Sequence, residues 1–89
     1  MSFSGPVTIA ESHGYRLDSY GNGAAYALRN IATRHSVWVQ GDDAIVLREA
    51  LDSIERNWPN WSQERVLECL WNDYGYELAA TPDEKEISK

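Results

Sequence analysis

The sequence predicts an α+β domain: a three- or four-stranded antiparallel β-meander followed by two antiparallel helices packed on one of its faces. Three observations predict it. Apolar residues alternate with a period of two through the first forty positions, the period changes to three and four after Gly41, and glycine, asparagine and proline stand where the periods break.

The strands come first. The run VTIAES sets Val7 and Ile9 against Thr8 and Ala10, and YRLDS sets Tyr15 and Leu17 against Arg16 and Asp18. YGNG follows, with Asn22-Gly23 as a tight-turn pair because both residues tolerate positive φ. AAYALRN puts Tyr26 and Leu28 on one face, ATRHS is a polar break, and VWVQ directs Val37 and Val39 inward and Trp38 outward. If the helices cover the valine face, Trp38 lies on the open face of the sheet, where an exposed tryptophan is a natural contact anchor.

The helices follow Gly41. In DDAIVLREALDSIERNW, Ala44, Leu47, Leu51, Ile54 and Trp58 recur at three- and four-residue intervals and form one apolar stripe. Asp42 and Asp43 occupy the start, where caps and negative charge are favoured. Pro59 stops this helix, and Ser62 is the expected cap of the next, with Trp61 and Val66 spaced as a hydrophobic staple. The second helix turns Val66, Leu67, Leu70 and Tyr74 inward with Trp71 alongside, and Gly75 ends it. YELAA is expected as a short extended segment. The domain thus spans residues 1–80, and residues 81–89 form a flexible polar tail.

Composition bounds the function. The 89 residues suffice for one domain with one modest core, and 43% of them are hydrophobic, ordinary for a folded globule. Cys69 is the sole cysteine, so no internal disulfide forms. The opening MSFSGPVTIAESHG lacks the basic segment and long apolar run of a signal peptide, and no apolar stretch approaches the ~20 residues that span a bilayer. The expectation is a cytoplasmic protein of a bacterial host cell.

Chemistry-bearing patterns are sparse. His13, His35 and Cys69 share no metal-ligand spacing, no GxSxG elbow presents a serine, and Cys69 lies mid-helix beside Glu68 with no histidine in helical reach. The glycines of YGNGAAYAL do not have a phosphate-loop spacing. The second helix offers Gln63, Arg65 and Asn72 among Glu64, Glu68 and Asp73, a surface too negative for a DNA groove. The sequence therefore predicts no enzyme, no cofactor, no metal and no direct nucleic-acid contact.

What remains is charge. The formal net charge is −6, and it is uneven: Arg16, Arg29 and Arg34 outweigh Glu11 and Asp18 before residue 41, whereas twelve acids face five bases after it. Such a chain suits a basic partner. The candidate contacts are Asp42, Asp43, Glu49, Asp52, Glu55, Glu64 and Glu68, with Trp38 or Trp61 as a desolvated anchor.

The stretch YGNGAAYALRNIATRHSVWVQGDDAIVLREALDSIE, followed by LWNDYG, resembles the small orphan proteins of bacteriophages and other mobile elements in its meander, its QGDDA junction and its following helix. In size, acidity and lack of a catalytic signature the chain is similar to anti-CRISPR proteins. The resemblance implies a stoichiometric inhibitor that occupies a basic nucleic-acid-binding surface, such as that of a CRISPR effector subunit. The expectation from another class is a small structural or assembly protein that self-associates through the uncovered sheet face or the tryptophan corner; the expected state is a monomer or homodimer.

Overall fold

The computed structural model describes residues 6–82. Four strands, β1 (Val7–Glu11), β2 (Tyr15–Tyr20), β3 (Ala25–Asn30) and β4 (His35–Gln40), run as an antiparallel meander. Three helices follow: α1 (Asp42–Asn57), α2 (Gln63–Asn72) and a single turn, α3 (Tyr76–Ala79). Thr81–Pro82 then returns as β5 to pair with Ser36 and His35 of β4, giving the sheet order β1-β2-β3-β4-β5. The expected α+β layout is present, with one more strand than the alternation marked.

Register makes one face of the sheet. Leu17 stands opposite Leu28, and Leu28 opposite Val37; Tyr26 stands opposite Val39. All of these are buried with Leu47, Leu51 and Ile54 of α1 and Val66, Leu67, Leu70 and Trp71 of α2 in one core. Alternation across the pleat sends Asp18, Ala27 and Trp38 to the opposite face in a second row. The helices divide the covered face between them: α1 packs on β3 and β4, and α2 on β1 and β2.

Five local expectations change. In β1 the pairing slips between Thr8 and Ala10, a bulge at Ile9. The extra residue resets the alternation, so Ala10 joins the core opposite Leu17 while Val7 is exposed. Trp58 does not close the α1 stripe. It lies beyond the helix with φ −134°, because a residue before proline is driven out of the helical region, and 46% of its surface is exposed. Tyr74 is likewise exposed: α2 ends at Asn72, so the helical period no longer holds two residues later, and Trp71 fills the inner face instead, 4% exposed. YELAA is helical rather than extended, with Tyr76 packed against the core; that burial overrides a weak local preference. Of the expected tail, Thr81 and Pro82 are strand, and residues 83–89 lie outside the described residues.

Glycine serves two junctions. The β2–β3 turn needs positive φ at Gly21 (+60°) and Gly23 (+94°), and Gly41 takes φ +63° to redirect the chain from β4 into α1. Gly41 is also the residue capping α1, and it has no side chain to cap with. Asp42 and Asp43 therefore support the helix start through their charge alone. At α2 the expected cap is made: the Arg65 N–H donates to Ser62 Oγ at 3.2 Å.

Candidate protein-binding surface

Helical periodicity positions the acids of α1. With Ala44, Leu47, Ala50, Leu51 and Ile54 buried, the opposite crest carries Asp42, Ile45, Glu49 and Arg56. Ile45 and Val46 are more than half exposed, at 57% and 56%. On a helix they adjoin the residues three and four positions away, so Asp42 and Glu49 flank this apolar pair along the crest and Asp43 borders Val46. Asp43 also faces α3, where its charge adds to burial in pushing the Tyr76 phenol above its ordinary range. The result is two exposed aliphatic side chains bordered by three carboxylates, with Arg48, three residues past Ile45, as a cation beside them. Charge and motif spacing do not single out Ile45 and Val46. The signal that finds them is the same stripe, since two large aliphatic residues off it have nowhere to be buried.

A shallow notch of about 750 Å3 joins this crest to the sheet. Gly21, Gly23 and Gly41 line it together with Gln40, Asp42 and Ile45. Gln40 leads to Trp38, whose Nε1–H donates to Gln40 Oε1 at 3.1 Å. Trp38 lies on the uncovered sheet face as expected, 51% exposed, with its ring 4.8 Å from that of Tyr20 at 60°. An aromatic pair, a notch and an acid-rimmed crest are thus contiguous around the β4–α1 junction.

The other candidate acids are placed differently. Asp52 is half-buried and pairs with Arg48 at 3.3 Å. Glu55 and Glu68 are exposed. Glu64 turns toward the β1–β2 turn, where it accepts from the Gly14 N–H at 3.0 Å. Hydrogen bonds from the Ser12 hydroxyl and from Gly14 hold its carboxyl below the ordinary 4.5. Beside it the Glu11 N–H donates to Gln63 Oε1 at 3.0 Å. The first turn of α2 therefore fastens the first hairpin, and Glu64 stands apart from the crest of α1.

Trp61, the second candidate anchor, is partly buried against the core. It stacks on Trp58 with centroids 4.6 Å apart and planes within 9°, and the Arg65 guanidinium lies over it at 4.4 Å. Of the soft ligands, Cys69 Sγ donates to Asp73 Oδ2 at 3.5 Å, and burial followed by the Asp73 carboxylate pushes its thiol up. His35 is occupied through Nδ1 by the Thr33 carbonyl at 2.9 Å. Among the described residues no three His, Cys, Asp or Glu side chains gather as a metal site, and no helix is long and apolar enough to cross a membrane.

No family model matches the chain, and no match was found among the curated proteins or the solved structures compared with it.

Proposed function

We propose that the protein is a non-enzymatic protein-binding module, an anti-CRISPR-like inhibitor of phage or mobile-element origin acting in the cytoplasm of a bacterial host. In this reading its acidic surface occupies the basic nucleic-acid-binding site of a partner, such as a CRISPR effector subunit. The observation that carries the reading is the exposure of Ile45 and Val46 among Asp42, Asp43 and Glu49. Protein interfaces combine a desolvated apolar centre with a polar rim, and here the rim has the sign that lysines and arginines recognise. Asp52, Glu55 and Glu68 extend the field, whereas Glu64 contributes its charge and not a contact.

The test is competition. The chain is added to a nucleic-acid-binding CRISPR effector loaded with labelled nucleic acid, and displacement is followed as salt is raised. Displacement weakens with ionic strength, and the triple variant Asp42→Lys, Asp43→Lys, Glu49→Lys abolishes it with the fold intact by circular dichroism. Equal displacement by the triple variant refutes the mechanism.

One observation favours the second reading, self-association through the open sheet face: Trp38 is half exposed on that face and packs against the half-buried Tyr20. Light scattering decides it. A dimer that dissociates on Trp38→Ala supports assembly, and a monomer at every concentration rejects it.

A further inference from the structure

We infer that the free face of Trp58 receives an arginine side chain of the basic partner, so that the α1–α2 corner makes the protein prefer arginine-rich over lysine-rich surfaces. The inference rests on the acidic-surface reading and adds a specific contact to it.

The corner is a column of planar groups. Trp58 and Trp61 are stacked 4.6 Å apart, and the Arg65 guanidinium lies 4.4 Å from the Trp61 centroid. A face already covered by a parallel indole has no room for a guanidinium at that distance. Arg65 and Trp58 therefore occupy opposite faces of Trp61, in the order Arg65, Trp61, Trp58. Stacking takes one face of Trp58. Among the described residues no other ring or cation contacts it, and 46% of its surface stays in solvent.

The molecule's own use of the column indicates what fits its open end. One end is closed by a guanidinium, which is planar, weakly hydrated and attracted to the negative face of an indole. The open end has the same π-face, and the last turn of α1 before it carries the exposed Glu55 beside Arg56. Across α1 as a whole, five carboxylates face two arginines. A nucleobase would also stack on Trp58, but its phosphates would meet a chain of net charge −6. A lysine ammonium is attracted to the same charges yet gains less from the ring, being compact and strongly hydrated.

The experiment uses the full 15N-labelled chain and ten-residue arginine and lysine peptides at low ionic strength, reading the four tryptophan indole resonances. The arginine peptide binds about two- to five-fold more tightly than the lysine peptide and moves the Trp58 indole signal. Trp58→Ala brings the two affinities together and weakens the arginine peptide more than the lysine peptide. Trp58→Phe, which keeps a ring at the corner, retains part of the preference and covers the case in which the alanine variant loses its fold. Equal binding of both peptides by the wild type overturns the inference and leaves the acidic-surface reading standing. So does an alanine variant that weakens both peptides alike, or a single-stranded oligonucleotide that binds Trp58 more tightly than the arginine peptide. Failure of both peptides to bind defeats the acidic-surface reading and this inference with it.

Discussion

The two long helices carry similar acids and use them in opposite ways. On α2, Glu64 turns back to the hairpin and accepts from Gly14, with Gln63 beside it accepting from Glu11. On α1, Asp42, Asp43 and Glu49 ring an exposed Ile45 and Val46. The difference lies in what each helix start meets. The start of α2 meets the backbone of the β1–β2 turn, whose N–H groups need acceptors, and a nearby carboxylate becomes part of the fold. The start of α1 emerges from Gly41 beside an open notch, and its carboxylates face solvent. Charge counted along a sequence does not separate an acid that binds its own chain from one left for another molecule.

The contrast can be tested from its strongest element down. The inner faces of the helices should behave alike: Leu47→Ala in α1 and Leu67→Ala in α2 each empty a fully buried site and each cost about 2–5 kcal/mol in urea denaturation. A cost below 1 kcal/mol at either would mean that its helix is not docked as described. The tryptophans should divide next. Trp71→Ala removes a buried ring that contacts Tyr15 and costs about 3–5 kcal/mol, whereas Trp58→Ala at the exposed corner costs no more than about 1 kcal/mol.

The acids sharpen the comparison further. Glu64→Gln should lower the melting temperature, and Glu49→Gln should leave it unchanged or raise it, since Glu49 lies among like charges. Equal melting temperatures would abolish the distinction between the two helices. The pH dependence has a definite sign. The folded carboxyl of Glu64 titrates below the ordinary 4.5, so its contribution is present above 4.5 and is lost as the pH falls through the depressed folded value. A denaturation series from neutral pH downward should therefore show an acid limb that Glu64→Gln flattens. The smallest effect belongs to the surface pair: Asp52→Asn, which removes the ion pair with Arg48 and leaves that guanidinium its Tyr26 partner, costs about 0.2–0.5 kcal/mol and less at high salt.

Much of the architecture was legible because local periodicity survives wherever a segment has one buried side. The alternation of Leu17, Leu28, Val37 and Val39 and the stripe of Ala44, Leu47, Leu51 and Ile54 both reflect that condition. Ser62 was legible as a cap because its bond reaches only three residues along the chain. Trp58 was misread because the stripe was extended to the residue before Pro59, and Tyr74 because it was extended past the end of the helix. The bulge at Ile9 left no mark in the alternation, because only the pairing partner reveals an extra residue.

From the sequence alone came the α+β order, the inward and outward faces of the central strands, the outward Trp38 and the acidity of the C-terminal half. These follow from forces that act over a few residues or that sum over composition. Tertiary structure alone decided that Glu64 serves the hairpin, that Ile45 and Val46 share a charged border, and that Trp58 and Arg65 both pack on Trp61. Each depends on which surfaces meet or stay bare once distant segments pack, and neither periodicity nor charge count carries that information.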